Sequence, residues 1–197
     1  MTGITNGTLP TDIDAAQLVP AARRLARTLL RPLPDRWRHS IGVASRAVEL
    51  ADTVPPGDRS ILVAAAWLHD IGYSPSIQDT AFHPLDGALF LRAAGWPERI
   101  CALVAHHSGA RYMARATGYE QALRQFEFER SPVSDALTYA DQTVGPRGQR
   151  LDLEMRLADT LRRHGPDSAQ ARVHQVRARY IRAAADRVRQ RLRRTAS

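Results

Sequence analysis

The chain has no lysine, a single cysteine, no long apolar run and no stretch of alternating apolar and polar residues. One cysteine excludes a disulfide framework and argues against a cysteine-built zinc site. Cys101 sits in Arg-Ile-Cys-Ala-Leu-Val and reads as a small buried hydrophobe. No segment approaches the roughly 20 apolar residues of a membrane helix. The opening Met-Thr-Gly-Ile-Thr-Asn-Gly-Thr has neither a charged start nor an apolar run, so no signal peptide is expected. A cytoplasmic protein is the expectation. Strand signals, internal repeats and low-complexity segments are also missing, which leaves an all-α class.

The missing lysine means that all 28 basic residues are arginine, which reads as genomic base composition rather than selection for guanidinium chemistry. The net charge of +8 is unevenly placed. Residues 171–197 hold nine arginines against one acid, Asp186, while the other 19 arginines balance 19 acids. The body is neutral and the tail is basic.

What is present is helical periodicity, cut by proline and glycine. At 197 residues, 44% of them hydrophobic, the chain suits one domain with a real core. Residues 1–15 read as a flexible tail, 16–165 as the domain and 166–197 as an added basic helix. The spacing predicts helices over Ala15–Leu30, from Asp35 as cap to about Asp52, from Asp58 as cap over Arg59–Asp70, from His83-Pro84 to Gly95, and from Pro97 to about Gly109. Further helices are expected over about 118–130, 132–142 after Ser131, 151–164 and 168–194, with 143–150 as a loop. On the second helix Ile41, Ala44, Val48 and Ala51 form an apolar stripe beside His39. On the last, the stripe is Val173, Val176, Tyr180, Ala184, Val188 and Leu192. Such a stripe more often packs on the body or a partner helix than on nucleic acid. Nucleic-acid binding and a homo-oligomer stay open.

Five of the seven histidines lie between 39 and 107. His69-Asp70, in Ala-Trp-Leu-His-Asp-Ile-Gly-Tyr, closes an apolar stretch, and burying such a pair is costly without a partner. A divalent ion resolves this, because it takes a neutral imidazole and an ionised carboxylate together. His39, His69, Asp70 and Asp141 could converge from three helices on one ion. His83 and the pair His106-His107 lie where helices begin or end. They could supply a second ion, with Asp70 bridging the two. Adjacent helical residues point about 100° apart, so the choice between His106 and His107 stays open. His164 and His174 read as surface residues.

The order His39, His69-Asp70, Asp141 resembles the four-ligand signature of the HD-domain superfamily of metal-dependent phosphohydrolases. His83 in His-Pro-Leu-Asp-Gly-Ala and His106-His107 in Ala-His-His-Ser-Gly resemble its dinuclear branch. The plan of His39 with Gly42-Val43-Ala44, His69-Asp70, His83 with Gly87-Ala88, His107-Ser108-Gly109, and Tyr139-Ala140-Asp141 with Arg147 is similar to bacterial hydrolases that split symmetrical dinucleoside tetraphosphates. HD-GYP phosphodiesterases are similar less closely, since Gly109-Ala110-Arg111-Tyr112 stands where their Gly-Tyr-Pro motif would be. The resemblance covers about residues 20–160. It implies an HD helical bundle that hydrolyses a phosphate ester or anhydride of a nucleotide or small phosphorylated molecule through a metal-bound hydroxide. Asp70 and His69 are then the catalytic centre. The metals are one or two divalent ions, with iron, manganese, nickel and zinc all compatible.

Arg147, in the loop after Asp141, and Arg111, just after His107, are candidate grips for substrate phosphate. Ser108 is not needed as a nucleophile. Two competing readings are a non-catalytic, regulatory HD-type module and a dinuclear iron oxygenase. The complete ligand set speaks against the first, and the lack of lysine against the second.

Overall fold

Prolines and glycines set the helix boundaries in the computed structural model, which describes residues 15–165 and 167–195. α1 (Ala15–Leu30) has the expected bounds and stops before Pro32. The expected tail lies outside the described residues except for Ala15. α2 (Pro34–Glu49) starts on Pro34, so Asp35 is not its cap. Asp35 lies in the first turn and accepts a hydrogen bond from Arg38 at 3.0 Å. The buried face of α2 is His39, Ser40, Val43, Ala44 and Ala47. Ile41 and Val48 are 42% and 59% exposed, so the expected apolar stripe is off by about one residue. Turning the polar His39 and Ser40 inward rotates the helix away from its purely apolar pattern.

α3 (Arg59–Leu68) is apolar on nearly every side and is the shared wall of the core. Asp58, expected to cap it, makes no cap hydrogen bond and instead accepts from Arg99 at 2.6 and 3.2 Å. Leu62, Val63, Ala65 and Ala66 pack with α2 and with three later helices, α8 (Pro132–Gln142), α9 (Leu153–His164) and α10 (Ala169–Thr195). Ala64 and Leu68 pack with α1, α4 (His83–Ala93) and α5 (Glu98–His106). α3 gives way to a short turn, Ile71–Tyr73, just after His69-Asp70.

Between α5 and α8 the sequence expectation is corrected. Instead of one helix over 118–130 there are α6 (Ala110–Thr117) and the single turn α7 (Glu120–Leu123). Gly118, at φ 84°, closes α6 from its C-terminal end. Residues 124–131 are not helical, and Phe126 is buried among them. α8 begins as expected, with the Ser131 hydroxyl accepting from the Ser134 amide at 3.1 Å. The 143–150 loop is closed by one isolated bridge, Val144 to Arg150, and no strand is found among the described residues.

α10 packs on α8, α6 and α9. Val173, Ala184 and Val188 of its expected stripe are buried, but Val176 is 46% exposed, and Ala178, Ile181 and Ala185 complete the buried face. Arg187 donates to Asp135 of α8 at 2.9 and 2.6 Å, and Arg191 donates to the same carboxylate. No described helix is long and apolar enough to cross a membrane.

Candidate metal centre

Four histidines and two aspartates from separate elements meet at the end of α3. α2 brings His39, the end of α3 brings His69 and Asp70, and the first residue of α4 is His83. The break after α5 brings His107, and the last turn of α8 brings Asp141. Two glycines permit this convergence. A Cβ on Gly72 would lie 2.0 Å from the carbonyl oxygen of His83, so only glycine lets the turn after Asp70 rest on the start of α4. A Cβ on Gly42 would lie 2.7 Å from Val144 Cγ1 and 2.8 Å from the Gly148 carbonyl oxygen. That contact seats the 143–150 loop on α2, where Gly145 meets His39.

Three of the imidazoles are anchored in the same way. Nδ1 of His39, His69 and His107 lies 3.0, 2.8 and 2.6 Å from the carbonyl oxygens of Gly145, Ala66 and Val104. For His69 and His107 a proton on Nδ1 leaves Nε2 with its lone pair facing the cluster, whereas His39 Nε2 faces the Asp141 carboxylate. His39 Nε2 is 3.0 Å from Asp141 Oδ1, and His83 Nε2 is 3.4 Å from Asp70 Oδ1. His69 Nε2 is buried with no hydrogen-bond partner, 3.5 Å from Asp70 Oδ1. The Nε2 atoms of His83 and His107 are 3.3 Å apart. Two groups of possible metal ligands result, His39-His69-Asp70 and Asp70-His83-His107, and they share Asp70.

The charges suit cations. Burial alone would raise the Asp70 carboxyl, but His69, Arg36, His83 and His39 outweigh it and hold Asp70 well below the usual carboxylate range. Burial opposes the ionised form of Asp141 too, and the hydrogen bond from His39 together with the nearby His69 reverses that. Burial pushes His83 far down, and with His69 beside it His107 is pushed down to about 4. Neutral imidazole is the form that binds metal. His39 moves the other way: its burial is outweighed by Asp141 and Asp70, which raise it.

Neighbouring groups hold the carboxylates in place. Arg36 donates to Asp70 Oδ2 at 3.2 Å, and its guanidinium lies 3.7 Å from the Tyr73 ring centroid. Tyr73 in turn stacks on His83, with centroids 4.0 Å apart. Gln142 donates to Asp141 Oδ2 at 2.7 Å, and the Ser108 hydroxyl donates to the same oxygen. Ser108 is held at φ 50°, outside the usual range for a non-glycine residue.

The residues His39, His69, Asp70, His83, His107 and Asp141 therefore come together as expected. His106 does not. Its Nε2 donates to the Phe126 carbonyl at 2.8 Å and its ring meets the edge of Phe128. The two adjacent imidazoles diverge as neighbours on a helical turn do, and the chain leaves the helix only after His107, at ψ 146°. Arg147 is exposed in its loop, and Arg111 lies over Tyr112, Phe128 and Tyr180; neither lines the cavity of the cluster. That cavity is lined instead by Arg36, Arg156, Arg163 and Arg177, and by His174, which the sequence placed on the surface. Arg36 stands three residues before His39 on the same helix face, a spacing that could have revealed it. Arg156 and Arg177 come from α9 and α10, distant in sequence, and nothing distinguishes them among 28 arginines. The side chain of His164 lies outside what is described.

The HD domain family model matches residues 36–161, a span that takes in every member of the cluster from His39 to Asp141. The chain belongs to the HD domain family. Neither the curated proteins nor the solved structures contain a match to it. The all-α architecture agrees with the HD fold, and the buried His/Asp group agrees with the divalent-metal binding of HD domains. The orphaned Nε2 of His69 is what a missing ligand partner would leave behind, so the residues present fit such ions.

Proposed function

We propose that this HD domain is a metal-dependent phosphohydrolase that cleaves a phosphate ester or anhydride of a nucleotide or other small phosphorylated molecule. The observation that carries this reading is the pair of ligand groups joined at Asp70. His39, His69 and Asp141 with Asp70 would hold one divalent ion, and His83 and His107 with Asp70 a second. Iron, manganese, nickel and zinc all suit such donors. Bound there, divalent ions supply Lewis acidity: they lower the pKa of a water and neutralise charge gathering on phosphoryl oxygens.

The chain's own residues do the rest. The carbonyls of Gly145, Ala66 and Val104 fix the orientation of three imidazoles, which keeps the site pre-organised. Ser108 and Gln142 both donate to Asp141 and so orient its carboxylate. Arg36, 38% exposed beside Asp70, offers a cation to an arriving phosphate. The likeness of the motif order to dinucleoside tetraphosphate hydrolases makes phosphoanhydrides natural candidates.

The test is hydrolysis of p-nitrophenyl phosphate, bis(p-nitrophenyl) phosphate and a symmetrical dinucleoside tetraphosphate, with each of the four metals restored in turn. Turnover that requires metal and falls to background in Asp70→Asn is expected. A protein that binds ions and turns over none of the three would refute the reading.

A further inference from the structure

Arg156, on α9, is only 8% exposed, and its Nε and Nη1 are buried without hydrogen-bond partners. Its closest carboxylate, Asp159, is 4.0 Å away and already accepts from Arg162 and Arg163 at 2.7 and 2.8 Å. A buried guanidinium without an acceptor is costly, and native structures rarely keep one without a reason.

A second guanidinium deepens the problem. Arg177, on α10, donates its Nε to the Ser108 carbonyl at 2.8 Å and is in no ion pair with a carboxylate among the described residues. Burial pulls its pKa down; Asp141 opposes this, and the charge of Arg156 adds to it. Two like charges that repel each other face one cavity, and it is the cavity of the His/Asp cluster. A fold that only needed to pack α9 against α10 could use apolar residues here at lower cost. An anion on that side of the cavity would satisfy both arginines, and guanidinium forks match phosphate oxygens bidentately.

We infer that Arg156 and Arg177 form a subsite for a second phosphoryl group, so that the substrate of this centre carries at least two phosphates in series. This rests on the phosphohydrolase reading above and narrows it to polyphosphorylated substrates. One phosphoryl group belongs to the metal ligands, and the neighbouring one to the two arginines. Simple monoesters would then bind without the second grip.

Calorimetric titration of the full chain with inorganic pyrophosphate and with orthophosphate, at fixed ionic strength, tests it. The titrations are run on metal-loaded and on chelator-treated protein. Wild type is expected to prefer pyrophosphate by about tenfold or more, the size of one charge-assisted contact. Arg156→Met and, independently, Arg177→Gln should lose that preference. Arg172→Ala, on the exposed side of α10 with its side chain on the Asp167 carbonyl, should keep it. Arg156→Met should also melt higher than wild type without ligand, because a buried guanidinium whose Nε and Nη1 have no hydrogen-bond acceptor is gone; a purely structural arginine would melt lower. If Arg156→Met fails to fold, Arg177→Gln carries the decision. Equal binding of the two anions by wild type, or an unchanged preference in Arg177→Gln, overturns the inference. The hydrolase reading fails separately. Preference without metal-dependent turnover of any phosphoester leaves the subsite standing alone, whereas turnover without preference removes the subsite and leaves the activity.

Discussion

Gly72→Ala is a one-methyl change that should disturb half of the centre. The new Cβ would lie 2.0 Å from the His83 carbonyl oxygen and 2.7 Å from the Gly87 amide nitrogen. Ordinary contact begins near 3.4 Å, so the two backbones must separate by about 1.4 Å. Both obstructing atoms are backbone, and no side chain can swing away. The cost therefore belongs at the top of the overpacking range, about 3 kcal/mol. For a chain of this size that lowers Tm by about 6–12 °C. The same shift carries His83 away from Asp70, now 3.4 Å distant, while His39 and His69 keep their anchors on Gly145 and Ala66. Metal content by elemental mass spectrometry should fall towards one ion per chain, alongside the lower Tm by calorimetry. Wild-type Tm together with wild-type metal content would show that the Gly72–His83 approach does not set the site.

Other perturbations follow from the same geometry. Asp135→Ala removes the buried carboxylate shared by Arg187 and Arg191, which themselves reach solvent, and should destabilise the protein by about 1–2 kcal/mol, read by urea unfolding. Wild-type stability would mean that the pair does not pin α10 to α8. Cys101 is buried, and burial pushes its thiol up to about 12, so a maleimide at pH 8 should label it only after denaturation. Rapid labelling of native protein would contradict its packing. In metal-free protein His107 and His83 have pKa values below their unfolded ones, so the fold favours their neutral forms. That contribution is full above about pH 6.5 and is lost as pH falls towards 4, while the raised His39 works in the opposite sense. Tm of the metal-free protein should drop across that window, and His107→Gln should flatten the drop; equal slopes would refute the assignment.

The order of the cluster was legible in part because four of its six members sit beside a visible punctuation mark. Gly72 follows His69-Asp70, Pro84 follows His83, and Ser108-Gly109 follow His107. The choice between His106 and His107 was not legible, since it depends on how the end of α5 is rotated against the rest of the cluster, which packing decides. Gly118 was misread too. A glycine closes the helix before it as readily as it precedes another, and here its φ of 84° ends α6. The phosphate-gripping candidates were read as Arg147 and Arg111 from closeness in sequence. Apart from Arg36, the arginines at the cavity are instead brought there by the docking of α9 and α10, a tertiary fact that no local spacing encodes. The stripe on α2 was misjudged because apolar patterning cannot foresee a histidine turned inward to a polar cluster.

The most direct test of the central claim is the number of ions bound per chain. The purified 197-residue chain and Asp70→Ala would be incubated with iron, manganese, nickel or zinc, freed of loose metal and measured by elemental mass spectrometry. Two ions per wild-type chain, both lost or weakened in the variant, are expected because Asp70 belongs to both ligand groups. A wild-type chain that retains no ion under any of these conditions would contradict a metal centre built on Asp70.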